Sequence, residues 1–283
     1  MKRYLLLLLL PFMTCACEVV DYLVPDTSVR GDDLVVEGWI DEGGYPVVSV
    51  TTTLRRPDEP QKVSKLASLV LTDARVTVSD GTQTVELYGG LSQDFFPSFI
   101  YTTTLMKGKA GKTYHLEVVH GEKRVTGETT IPARTELNTI EAVQAEDGVW
   151  RVMAGFTPDP AGCYGFFSRG SNDSFGYLPV FLSQVDGSIA TGPQTVAVTR
   201  GSGLTNIKDF NPGFEPGEQV SVRFCTMGRE MYDFWDKFGQ LTGISYIMTY
   251  PSVFDNLPSN LTGGYGYWAG YGTSVYEIVI PES

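Results

Sequence analysis

From Leu34 onward the chain is written largely in period-two stretches of apolar and polar residues. That spacing sends alternate side chains to opposite faces of a β-strand. Ala74, Val76 and Val78 alternate with Arg75, Thr77 and Ser79, and Asp80-Gly81 follows as a hairpin signal into a return strand over Thr82–Tyr88. Tyr114, Leu116 and Val118 mark a strand over Thr113–His120; Gly121-Glu122 then turns the chain into Lys123–Ile131, which Pro132 ends. Leu34–Ile40, Val47–Thr53 and Ile100–Leu105 bring the count to seven strands. That rhythm, in about 100 residues, predicts an immunoglobulin- or transthyretin-like β-sandwich over 30–133.

Pro132 to Leu137 reads as a linker, and a second β domain is expected over 134–283. Its strands are predicted at Thr139–Ala145, Val149–Phe156, Cys163–Ser168, Gly176–Ser183, Thr195–Thr199, Gln219–Thr226 and Ser274–Ile280. One stretch changes period. Met227, Met231, Phe234, Trp235, Phe238 and Leu241 recur at helical spacing opposite Glu230, Asp233, Asp236, Lys237 and Gln240, which predicts an amphipathic helix over about 227–241 packed on the sheet. Gly239 and Gly243 mark its expected end. The fold class is therefore mostly β, a sandwich domain followed by a β domain carrying one helix.

The first residues follow a different grammar. Lys2 and Arg3 precede six leucines, Leu5 to Leu10, and the apolar run is closed by Pro11, Phe12 and Met13. It is about half the roughly 20 residues that span a bilayer as a helix, so it reads as a signal peptide. Ala16-Cys17 places a small residue directly before a cysteine, as a lipoprotein signal peptidase requires. Residues 1–16 are thus read as the leader, Cys17 as the lipid attachment point and 17–29 as a tether. The expected location is the outer membrane, at its periplasmic face or the cell surface, with contact through N-terminal acyl chains.

Charge narrows the partners. Loss of residues 1–16 leaves 19 Lys and Arg against 33 Asp and Glu, a net charge of −14. Such a chain is a poor match to nucleic acid, and none is expected as a partner. Of four cysteines, Cys163 and Cys225 remain in the folded part, either as one disulfide or as two separate buried thiols.

Catalytic constellations are thin, and the chain is read as a non-enzyme, with a hydrolase as the disfavoured alternative. The only histidines are His115 and His120. His115 and Glu117 share a strand face and could pair as metal ligands, but alternation alone puts polar residues there, and no metal or other cofactor is expected. The densest aromatic cluster is Tyr265, Tyr267, Trp268, Tyr271 and Tyr276, interleaved with Gly263, Gly264, Gly266, Gly270 and Gly272. Exposed, Tyr265, Tyr267, Trp268 and Tyr271 would contact a carbohydrate or a peptide; buried, they would fill the end of the second core.

Several segments together resemble a known family. They are Leu34-Val35-Val36-Glu37-Gly38-Trp39-Ile40, Ala74 to Asp80, Gly111-Lys112-Thr113-Tyr114, Asp159-Pro160 with Tyr164 beyond, and Pro258-Ser259-Asn260-Leu261-Thr262-Gly263-Gly264-Tyr265-Gly266-Tyr267-Trp268. The order resembles the domain-of-unknown-function family numbered 4249, lipoproteins of the Bacteroidetes cell envelope, from about Leu34 to Ile280. The chain departs from it at Gly162-Cys163-Tyr164, where paired tyrosines are usual, and at Trp268, where phenylalanine is. The resemblance implies an outer-membrane lipoprotein found near TonB-dependent transporters, and no catalytic residue. The leading expectation is a non-enzymatic binding or accessory component of such an uptake system. The alternative is a surface adhesin or fimbrial-type subunit that assembles by strand exchange, with Arg30-Gly31 as a processing site.

Overall fold

The computed structural model describes residues 30–54, 67–95, 97–174, 176–202, 210–247 and 257–282. Cys17, the leader and the tether over 17–29 lie outside them. The first unit holds β1 (Arg30–Asp41), β2 (Val47–Leu54), β3 (Arg75–Ser79), β4 (Thr84–Leu91), β5 (Phe99–Thr102), β6 (Thr113–His120) and β7 (Lys123–Thr130). The second holds β8 (Thr139–Gln144), β9 (Trp150–Phe156), β10 (Cys163–Gly170), β11 (Leu178–Pro179), β12 (Val185–Asp186), β13 (Gln194–Val198), β14 (Gln219–Met227) and a helix, α1 (Arg229–Ile247). The chain closes with β15 (Leu261–Thr262) and β16 (Tyr265–Val279).

One sheet runs through both units in the order β11-β10-β14-β16-β1-β2-β5-β4-β3-β6-β7-β15, with β12 beside β10. In the first unit β4 turns the corner of the sandwich. Its residues Thr84–Leu87 pair with β3, and Tyr88–Leu91 pair with β5. The apolar sets read from the sequence meet inside it, since Leu34, Val36, Ile40, Val48, Val50, Val76, Val78, Leu116 and Val118 are all buried in one core. The turn between β3 and β4 is built as Asp80-Gly81 predicts. Gly81 has φ 83°, and the Asp80 carboxylate accepts from the Thr82 and Gln83 amides, both at 2.9 Å.

The second unit faces the β10-β14-β16 region with a separate sheet, β13-β9-β8. Phe156, Phe166 and Phe224 fill the space between, with both other ring centroids 4.7 and 4.7 Å from that of Phe224. The opposite face of β10 and β14 is covered by α1, whose Met231, Phe234 and Trp235 are buried against Phe167, Cys225 and Met227. A strand covered on both faces needs no alternation. Val220 to Met227 are accordingly buried without a break.

Two boundaries differ from expectation. The helix continues to Ile247, through Gly239 and Gly243, an interior glycine costing a helix only about 1 kcal/mol. The Gly-rich run, expected at the end of the second core, is instead the first half of the longest strand. Tyr265–Tyr271 of β16 pair parallel with Val35–Asp41 of β1, and Tyr271–Val279 pair antiparallel with Gln219–Met227 of β14. Residues 261–271 therefore complete the first unit, although the linear division at 133/134 assigns them to the second. From Val35 to Trp39 β1 is paired along both edges, with β2 and with β16, and Arg30 is paired with Leu54 of β2.

Across the seam, Arg223 of β14 reaches the carboxylate of Asp41 at the end of β1, and the Thr273 hydroxyl donates to the same oxygen at 3.1 Å. The Arg223 guanidinium also lies 5.1 Å from the ring centroids of both Phe167 and Tyr271.

Candidate functional site

Of the four contact candidates in the aromatic run, three are corrected by burial. Tyr267, Trp268 and Tyr271 are 8%, 0% and 2% exposed, and Tyr265 alone is open, at 50%. The physical reason is their register on β16. Even positions of its first half face the first core, and odd positions face α1. Trp268 enters the first core, where its indole Nε1 donates to the Tyr114 carbonyl at 3.0 Å. Tyr267 packs on Phe234 and Trp235 at centroid separations of 4.8 and 5.5 Å. The Tyr271 hydroxyl accepts from Trp235 Nε1 at 2.8 Å. Burial pushes both phenols above their ordinary range, so they remain neutral wedges.

The glycines have the same structural cause. Gly266 stands at φ 104°, where a Cβ would lie 2.0 Å from the Val36 carbonyl oxygen. At Gly263, φ 90°, it would lie 2.2 Å from that of Arg124. These are backbone approaches that only glycine permits. Asn260 supplies a role that the sequence reading missed. Its Nδ2 donates to the Trp268 carbonyl at 2.8 Å, and its Oδ1 accepts from the Trp268 amide at 2.9 Å. One side-chain amide thus stands in for a neighbouring strand at the point where β14 has ended.

The cysteines are likewise buried and free. Cys163 lies opposite Met227, and Cys225 opposite Gly165, so the two thiols are offset along the ladder instead of facing each other. The disulfide alternative is corrected in favour of two core thiols, and burial pushes the Cys225 thiol up to about 11.

A surface concavity among the described residues lies elsewhere. The outward positions of β3, β6 and β7 form a polar concavity of about 590 Å³, with Asn260 and Thr262 at its rim. Register sets its rows. Thr77, Glu117, Thr126 and Thr262 line up across four strands, and Ser79, His115 and Glu128 across three. Glu117 Oε1 accepts from Arg75 at 3.3 Å and Glu117 Oε2 from Arg124 at 2.5 Å. His115 Nδ1 sits 3.2 Å from Glu128 Oε2. Each carboxylate is thus already engaged by a cationic or imidazole neighbour. Two guanidiniums on Glu117 also oppose its use as a metal ligand, and among the described residues no group of three metal-binding side chains forms. The arrangement offers rows of hydroxyls and charged donors to a polar molecule lying across the strands.

Among curated proteins none matches the chain. Two solved structures overlap it at low similarity. A cytokine receptor complex (crystal form 1A) is 13% identical and covers 70% of this chain and 86% of its own, with TM-score 0.24. A two-fibronectin-type-III-domain segment from chicken tenascin is 14% identical and covers 69% and 91%, with TM-score 0.20. The model of the family described as Domain of unknown function (DUF4249) matches residues 19–277, nearly the whole chain, and the protein belongs to that family.

Proposed function

We propose that the chain is an outer-membrane lipoprotein, anchored through Cys17, that acts as a non-enzymatic binding or accessory component of a TonB-dependent nutrient-uptake system. Its ligand, a carbohydrate or a peptide, is held on the β3-β6-β7 face and not by the aromatic run. The single observation that carries the binding part is the concavity of about 590 Å³ with its cross-strand rows of Thr, Arg, Glu and His. Its Glu117 carboxylate is held between two guanidiniums and its Glu128 carboxylate lies beside His115, which suits holding hydroxyls and amides more than moving protons. The anchor part is supported by the leader pattern ending in Ala16-Cys17.

The test is an affinity pull-down of the lipidated protein from its native membrane, with mass spectrometry of what accompanies it. A TonB-dependent transporter in stoichiometric amount is the expected result. Recovery of the protein alone, or only with copies of itself, overturns the uptake reading. The adhesin alternative needs an open groove beside the first strand; Val35–Trp39 of β1 are paired with both β2 and β16, which favours the uptake reading, and a chain that assembles after trypsin treatment would support the alternative.

A further inference from the structure

β16 closes one of its edges and leaves another open. In an antiparallel pair, successive residues point their N–H and C=O groups alternately toward the partner and away from it. The Ile280 amide donates to Glu218 O on the β14 side, whereas Tyr271 O accepts from the Glu42 amide on the β1 side. Even residues of the second half therefore serve β14, and Val275, Glu277 and Val279 direct their backbone groups the other way. β1 has ended at Asp41. No partner for those backbone groups stands among the described residues. In the first half, the corresponding gap at Trp268 is closed by the Asn260 amide.

The side chains of this edge are not those of a guarded one. Val275 and Val279 are 50% and 62% exposed, where edge strands are commonly protected by lysine, proline or a bulge. Between them stands Glu277, exposed and oriented by Ser221 Oγ at 2.5 Å. On the neighbouring face, Glu136 accepts from the Tyr276 hydroxyl at 2.6 Å and is held below the usual carboxylate range, first by that bond. Arg134 accompanies Glu136 at 3.1 Å.

We propose that the Val275–Val279 edge is a docking strand for an extended segment of a partner protein, added to the sheet by β-augmentation, with apolar residues beside Val275 and Val279 and a basic residue facing Glu277. Main-chain hydrogen bonds supply the affinity in this mode, and alternate side chains supply the choice of partner. A second copy of the chain fits less well, since pairing two such edges brings together two Glu277 carboxylates and two chains that are both strongly acidic.

Residue-resolved amide exchange on the full chain tests the inference, with the acetylated peptide Thr-Val-Thr-Lys-Thr-Val-Thr as probe. In the free protein, Val275, Glu277 and Val279 exchange fast while Ser274, Tyr276 and Ile278 are protected. Saturating peptide slows the three fast amides by at least about tenfold, and a peptide with Glu in place of Lys does not. Val275→Pro with Val279→Pro abolishes the effect, because those two amides do not serve the β14 ladder. Glu277→Lys, which leaves the backbone intact, reverses the preference between the two peptides. Protection of the three amides in the free chain, whether intrinsic or growing with protein concentration, overturns the proposal. So does fast exchange that millimolar peptide leaves unchanged. Neither result bears on whether a transporter is recovered from the membrane.

Discussion

Replacing Asn260 tests whether the Gly-aromatic run is a structural lock. In Asn260→Ala both hydrogen bonds to the Trp268 backbone are lost, at 2.8 and 2.9 Å. Each is worth about 1 kcal/mol net, and a half-buried peptide group left without a partner adds to that, so the expected loss is about 2–3 kcal/mol. Asn260→Asp is the sharper variant. Its carboxylate can still accept from the Trp268 amide but cannot donate to the Trp268 carbonyl, and it faces that oxygen with negative charge. The folded state then favours the protonated acid and raises its pKa above the unfolded value of about 3.9. The penalty is accordingly absent below about pH 4, grows as pH rises, and is complete once pH exceeds the folded pKa. Urea unfolding followed by tryptophan fluorescence, at pH 3.5 and pH 7.5, measures both effects against the unaltered chain. Asn260→Ala within 0.5 kcal/mol of the parent, taking about 0.5 as the measurement floor, refutes the lock. So does a loss in Asn260→Asp that is equal at both pH values.

Trp268→Ala removes a fully buried indole and its bond to Tyr114, and calorimetry should show a loss of about 3–5 kcal/mol, whereas a surface ligand residue would cost almost nothing. Asp41→Ala leaves Arg223, 9% exposed, without its carboxylate; denaturant unfolding should register about 3 kcal/mol, and a neutral result would mean that the seam carries no charge pairing. Cys163 and Cys225 should both resist iodoacetamide in the native protein at pH 8 and both react after unfolding without reductant, because each is a buried thiol. An intact mass 2 Da short of the fully reduced chain, the loss of two hydrogens on forming one disulfide, would instead establish a bridge.

Legibility in the sequence follows locality. Period-two alternation and the Asp80-Gly81 turn are local signals. They locate β3, β6 and β9 to within a residue or so, and Thr113–His120 without any shift. Gly176–Ser183, read as a full strand, contracts to the two-residue β11, which ends at Pro179, a residue with no amide to donate to a ladder. The parallel pairing of β1 with β16 had no local signature. Five glycines depress strand propensity in 263–272, and the partner lies over 200 residues upstream, so nothing within a window of the chain announces it. The site divides in the same way. The residues of the Asn-Gly-Gly-aromatic run were visible as a motif, yet their role depends on which face of β16 each occupies. The β3-β6-β7 concavity was visible only as polar alternates, since its rows exist through register between strands and not along any one of them.

The shared strand also sets an order of events in folding. Trp268 belongs to the core of the first unit, but it follows its hydrogen-bonding partner Tyr114 by 154 residues. Chains usually fold domain by domain as each segment becomes available. Here the N-terminal unit has to wait for the end of the polypeptide, holding an unfilled interior until β16 arrives. Contacts so distant in sequence slow the search for the native state. A chain cut before residue 257 loses the core tryptophan of one unit and the strand beside β14 in the other together, so the two halves rise and fall as one cooperative body.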